Sequence, residues 1–210
     1  MCLHAKALVF DFDGVVADTE PLHWRSWAAL LAPQGISLTW EDYCKLGRGI
    51  KDEQMLESLS ELASNPTLRS ILNQQIGQRK EMIRRWCLLQ SPISSSTVRL
   101  LKSLKAFRLG LVTSSNRNEV EPLLRAAGIY QCFDASVYAD EVYCNKPNPE
   151  PYLLIRERLG IETGLAFEDS LAGLESASLA GFIAIRVDRP ENLPLIVRKS
   201  LDDDLATDSV

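Results

Sequence analysis

No apolar run in the 210-residue chain approaches the roughly 20 residues that a membrane span needs. A basic excess is also missing. The chain has 23 Lys and Arg against 28 Asp and Glu, a net charge of −5, whereas general nucleic-acid binding wants a basic surface. A local basic pocket for a phosphorylated small molecule stays compatible with that balance. The cysteines (Cys2, Cys44, Cys87, Cys132 and Cys144) are odd in number, and no C-x-x-C spacing occurs. This excludes a disulfide framework and a zinc site and reads as reduced thiols. Residues 1–20 show no signal-peptide layout, so the expected location is the cytoplasm. Repeats and low-complexity tracts are absent as well. What is left is an ordinary globular composition, 46% apolar and 24% charged, enough for one large domain or two small ones. The expected state is a monomer.

The densest chemical signal is Asp11-Phe12-Asp13-Gly14-Val15-Val16-Ala17-Asp18-Thr19, directly after the apolar run Ala7-Leu8-Val9-Phe10. That run reads as a short buried strand. If the backbone stays extended beyond it, Asp11 and Asp13 share a face and Phe12 points to apolar packing. Two carboxylates so close repel each other, and a hard cation would relieve that. Gly14 permits a sharp turn just beyond.

From about residue 96 onward, strand-like and helix-like segments alternate. Strands are expected at Leu109–Thr113, Ala135–Tyr138, Leu165–Phe167 and Phe182–Val187. Helices are expected at Ser96–Ala106, Asn118–Ala127, Asn148–Leu159 and Ser170–Ala180. Such alternation implies a parallel sheet wrapped by helices. Residues 20–88 break the rhythm. Trp24, Trp27 and Leu31 lie at helical spacing, as do Met55, Leu59 and Leu62, and no buried-strand run occurs there. The expectation is an α/β, doubly wound, Rossmann-like core of residues 1–18 and 89–210, with an inserted all-helical cap of three or four helices at 19–88. The acidic tail, Leu201 to Val210, is expected to fray.

Three strand candidates run into polar clusters: Asp11 and Asp13, Thr113-Ser114-Ser115, and Glu168-Asp169-Ser170. In an open α/β sheet, ligands bind outside the carboxyl ends of the strands. Lys146 lies in a loop before a helix and could reach the same edge. Taken singly these residues are unremarkable. Thr113 fits an ordinary β-branched strand residue and Lys146 a solvated loop lysine. Glu168-Asp169 would suit a helix N-terminus. Together they suit phosphoryl transfer. Asp11 can attack phosphorus, and Asp13 can protonate the leaving oxygen and later activate water. Asp169, with Glu168 and Asp11, can hold magnesium. Thr113 and the Ser114 amide can donate to phosphate oxygens, and Lys146 can neutralise developing charge.

These motifs resemble those of the haloacid dehalogenase superfamily, in its β-phosphoglucomutase-like branch with a small helical cap. Phe10 to Glu20 is similar to its first motif, Leu111 to Ser115 to the second, Lys146-Pro147 to the third, and Phe167 to Gly173 to the fourth. The resemblance implies an aspartyl-phosphate on Asp11 and acid/base work by Asp13, whose backbone carbonyl would also ligate Mg2+. It implies completion of the metal site by Asp169 with Glu168 beside it. It further implies a lid whose Glu20 and His23 face a small phosphorylated metabolite and whose specificity loop carries Arg48 and Lys51. Arg117 and Asn118, which follow the second motif, are candidates for contacting a distal group of that metabolite. Asn145 stands where the family commonly has glycine before the lysine, so the Lys146 loop is expected to be held differently. Two activities fit the core residues, a sugar-phosphate phosphatase and a phosphomutase. A signalling receiver domain shares the acids, hydroxyl and lysine but lacks so large an insertion after the first strand.

Overall fold

The computed structural model describes residues 7–47, 52–62 and 66–206. The chain divides into two compact units, Met1–Asp18 with Ser91–Val210, and Thr19–Gln90.

The first unit starts with β1 (Ala7–Phe10), all four residues of which are buried. The second unit holds α1 (Glu20–Leu31), α2 (Trp40–Gly47), α3 (Asp52–Leu62), α4 (Pro66–Gln74) and α5 (Ile76–Leu89). The first unit then resumes with α6 (Ser95–Ser103), β2 (Arg108–Val112), α7 (Arg117–Ala126), β3 (Ala135–Val137), α8 (Glu150–Leu159), β4 (Leu165–Glu168), α9 (Leu171–Leu179), β5 (Ile183–Arg186) and α10 (Leu193–Ala206).

All strand pairs are parallel, in the order β3-β2-β1-β4-β5. The chain steps outward from β1 to β3, then crosses back to β4 beside β1. Strand order therefore reverses between β1 and β4, where a doubly wound sheet opens a crevice. Phe10 is in register with Leu111 on one side and Phe167 on the other. Successive side chains of β1 alternate faces. Ala7 and Val9 join a core with Tyr152, Ile155 and Leu159 of α8 and Ala177 of α9. Phe10 stacks on Phe167, ring centroids 5.1 Å apart. With both faces covered, the strands carry continuous apolar runs instead of alternating ones.

Local sequence fixes the helix ends. Ser94 accepts the Thr97 N–H to start α6, and Asn116 with Glu119 forms a capping box on α7. The Ser170 hydroxyl accepts the Gly173 N–H at 3.0 Å to start α9. A left-handed Gly160 stops α8.

The helical unit has its own core: Trp27, Leu30, Leu31, Leu38, Tyr43, Met55, Leu59, Leu68 and Leu72, among others. Arg79 of α5 is 2% exposed. It donates to Ser26 Oγ at 3.0 Å and to His23 Nδ1 at 3.2 Å, pairs with Asp52, and lies 4.3 Å from the Trp27 ring centroid. One buried cation thus ties α1, α3 and α5 together.

Three expectations are corrected. The described part of residues 20–88 holds five α-helices, not three or four; Pro66 can open α4 because the first helical position needs no N–H. Of the tail expected to fray, residues 201–206 continue α10 as helix, and residues 207–210 lie outside the described residues. Leu193 and Val197, one turn apart on α10, are both fully buried, and α10 packs against α6. The backbone also does not stay extended beyond Asp11. The Asp11 N–H still bonds Phe167 O at 3.0 Å, but Phe12 O then accepts the N–H groups of Val16 and Ala17 at 3.0 and 2.9 Å. Phe12 is buried as expected, at 1% exposure. No helix among the described residues is long and apolar enough to cross a membrane.

Candidate active site

Asp11 leaves the end of β1, Thr113 the end of β2, and Glu168 and Asp169 the end of β4. Parallel pairing brings these ends to one edge, and Asp11 and Glu168 flank the point where strand order reverses. One carboxylate oxygen from each of Asp11, Glu168 and Asp169 lies within 4.8 Å of the others.

Lys146 enters from the loop before α8. Its side chain is only 6% exposed and makes three contacts: Asp11 Oδ1 at 2.7 Å, Glu168 Oε1 at 2.6 Å and Val112 O at 3.0 Å. Burial works against the ammonium charge, but Asp11 and Glu168 more than offset it and hold Lys146 above its ordinary range. The opposite balance holds at Asp11. Burial pushes its carboxyl well above the usual carboxylate range against the pull of Lys146, and the charges of Glu168, Asp169 and Asp13 add to the rise.

The site fits a divalent cation. Glu168 is fully buried, and its Oε2 has no hydrogen-bond partner. The three acids all offer carboxylate oxygens, and magnesium prefers oxygen donors. Two glycines make room for them. A Cβ on Gly14, whose φ is +80°, would lie 2.1 Å from Asp169 Oδ2, and a Cβ on Gly173 would lie 2.0 Å from Glu168 Oε2.

Asp13 is half-buried and turned elsewhere. Its Oδ2 accepts the Ser115 hydroxyl at 2.7 Å, and its carboxylate is not part of the three-acid group. Thr113 is buried and extends the β2–β3 ladder through its N–H to Val137 O at 3.0 Å, while its Oγ1 accepts the Ser115 N–H at 3.0 Å. Ser114 beside it is exposed.

The remaining candidates are placed differently. Arg117 and Asn118 are exposed at the start of α7. The Arg117 guanidinium pairs with Glu121 at 2.8 Å and Glu141 at 3.0 Å and lies over the Tyr138 ring. Glu20, in the helical unit, is buried and accepts the Tyr43 hydroxyl at 2.9 Å. His23 in the same unit contacts Arg79. Arg48 and Lys51 lie outside the described residues.

Sequence reasoning missed three partners. Ser115 stands in the Thr113-Ser114-Ser115 cluster, but nothing in the sequence links it to Asp13. Val112 contributes only a backbone carbonyl. Tyr152 donates to Glu168 Oε1 at 2.6 Å; nothing in the sequence marks it, because it sits on the core face of an ordinary helix.

A haloacid dehalogenase-like hydrolase family profile matches residues 5–181. The chain belongs to that family. The phosphorylated carbohydrates phosphatase of Thermotoga maritima is 32% identical over 84% of this chain and 82% of its own. The beta-phosphoglucomutase of Bacillus subtilis is 27% identical over 94% of this chain and 91% of its own. The crystal structure of CbbY from Rhodobacter sphaeroides in complex with phosphate superposes with a TM-score of 0.67 at 26% identity, covering 87% of this chain and 85% of that one. Family membership and the phosphatase relative together give the enzyme class, a phosphoric monoester hydrolase.

Proposed function

We propose that the protein is a magnesium-dependent phosphatase acting on a small phosphorylated metabolite, a sugar phosphate, through an aspartyl-phosphate on Asp11. The observation that carries this reading is the Lys146–Asp11 contact of 2.7 Å beside Glu168 and Asp169. A buried carboxylate that is to approach a phosphate needs cations around it, and this edge of the sheet gathers the means to hold them.

In the first step an Asp11 oxygen bonds to phosphorus and the ester P–O bond breaks. Asp13 gives its proton to the departing alkoxide. In the second step water bonds to phosphorus, its proton returns to Asp13, and the acyl phosphate P–O bond breaks to free phosphate and Asp11. Ser115 orients Asp13 through their 2.7 Å hydrogen bond. Thr113 and the Ser114 amide donate to the phosphoryl oxygens, and Lys146 balances the charge that builds on them. Asp11, Glu168 and Asp169, with the Asp13 carbonyl, would hold Mg2+, whose charge lowers the repulsion between carboxylate and phosphate. Selectivity belongs in this reading to the inserted helical segment, with Glu20, His23, Arg48 and Lys51 as its candidates, and to Arg117 and Asn118. A cytoplasmic, monomeric enzyme completes the proposal.

Similarity to a beta-phosphoglucomutase supports a second reading, in which a substrate hydroxyl replaces water in the second step. The receiver-domain alternative is dropped, because the chain belongs to a hydrolase family. The test is a phosphate-release screen over phosphorylated sugars and acids, with Mg2+ or EDTA, on wild type and Asp11→Asn. Metal-dependent release that the substitution abolishes is expected. Release that persists in EDTA refutes the mechanism. Conversion of an aldose 1-phosphate to its 6-phosphate with little free phosphate favours the mutase.

A further inference from the structure

We propose that Glu150 is a positioning residue for Lys146. The inference rests on the catalytic reading of that lysine. Glu150 opens α8, four residues after Lys146, and touches none of the proposed reacting groups. A carboxylate in a first helical turn ordinarily serves its own helix. Here both oxygens are used outside it. Oε1 accepts the Tyr143 N–H and Oε2 the Cys144 N–H, each at 2.8 Å. The segment from Tyr143 to Glu150 is thereby closed into a ring, with Lys146 near its middle.

Further bonds stiffen the ring. Asn148 Oδ1 accepts the Glu150 N–H at 2.9 Å, and the Asn148 N–H donates to Asn145 O at 3.1 Å. Ser176 of α9 donates its hydroxyl to Asn148 O at 2.6 Å. Burial anchors the chain at Val142, which packs against the core, but not at the next two positions, where the Tyr143 side chain is 100% exposed and Cys144 is exposed too. Between Val142 and Lys146, the Glu150 carboxylate holds the backbone at Tyr143 and Cys144, where burial does not. This answers how a loop with Asn145 ahead of the lysine is held. The ammonium at the far end must meet Asp11, Glu168 and Val112 O within hydrogen-bond distance at once. A backbone shift of about 1 Å is enough to lose a large part of the rate.

The decisive variant is Glu150→Gln. It keeps the shape but replaces one acceptor with an NH2 group that opposes an N–H. With p-nitrophenyl phosphate and Mg2+, kcat is expected to fall about 10- to 100-fold, with KM changed less than about twofold and the melting temperature nearly constant. In a Lys146→Ala background the same substitution should change kcat less than about twofold, because no ammonium is left to place. Should Glu150→Gln not fold, Ser176→Ala releases the other tether and carries the same comparison. The inference is overturned if Glu150→Gln keeps wild-type kcat, or if it lowers kcat equally in both backgrounds, which is what mere loosening would do. Wild-type kcat in Lys146→Ala would instead overturn the role of the lysine, and this inference with it.

Discussion

An alanine at position 173 would place its Cβ 2.0 Å from Glu168 Oε2 and 2.2 Å from Glu168 Cδ. Ordinary contact begins at 3.4 Å, so the carboxylate must retreat by about 1.4 Å or α9 must move. Neither is easy. Glu168 is fully buried, and its other oxygen holds both Tyr152 and Lys146 at 2.6 Å. Retreat sacrifices one of those bonds, at a cost of about 1.5–3 kcal/mol for a charge-assisted contact. Alanine recovers up to about 1 kcal/mol of helix propensity. With the full 1 kcal/mol recovered the net loss is about 0.5–2 kcal/mol, or about 1–8 °C in melting temperature for a chain of this size. A displaced Glu168 should also raise the Mg2+ concentration for half-maximal phosphatase rate by about tenfold or more. Thermal unfolding and a Mg2+ titration of the rate measure the two effects. The matched control is Gly77→Ala in the first turn of α5, where the added Cβ meets nothing within 4 Å; it should gain up to about 0.5 kcal/mol, below the mid-helix value. If Gly173→Ala melts at or above wild type with an unchanged Mg2+ dependence, the packing argument around Glu168 is wrong.

Tyr152→Phe removes the hydroxyl 2.6 Å from Glu168 and should cost about 1–2 kcal/mol in urea unfolding, because a buried charged acceptor loses a donor. Arg79→Met strands Asp52 and loses Ser26 and His23 in the helical unit. Asp52 keeps some solvent, with 21% of its side chain exposed, so the expected loss is about 2–3 kcal/mol, below that of a fully buried pair; denaturant unfolding reads it. Glu141 tests the acid limb. Burial raises its pKa, but Arg158, the Tyr138 N–H and Arg117 together bring it below the ordinary value. A depressed carboxyl contributes stability above about pH 5 and loses it as pH falls through the folded value. Glu141→Gln should therefore be less stable than wild type by about 1 kcal/mol at pH 7, with the gap closing at low pH; a gap that widens on acidification refutes the sign.

Much of the fold was legible because buried parallel strands carry unbroken apolar runs, and Ala7–Phe10, Leu109–Val112 and Leu165–Phe167 are such runs. The acids were legible for a related reason: Asp11 and Glu168-Asp169 stand where those runs end, a place where an unused charge would be expensive. Side-chain partnership was less readable. Tyr152 obeys the helix period and looks like core, which it also is. Ser115 binds Asp13 only because the chain turns after Asp11, a step that no alternation pattern contains. The three consecutive acids at 202–204 suggested a solvated end, yet buried Leu193 and Val197 upstream anchor α10. Arg79 carried no sign of burial, since its charge is satisfied by Asp52, Ser26 and His23 from distant turns of sequence.

The central place of β1 has a consequence for how the protein comes into being. Asp11 leaves the ribosome long before Glu168 and Asp169 do, and β1 must wait for both neighbours before its edge is complete. A truncated or half-synthesised chain would hold Asp11 without the acids that gather around it. Competence for chemistry would then switch on late and all at once, when the fourth strand slots in beside the first.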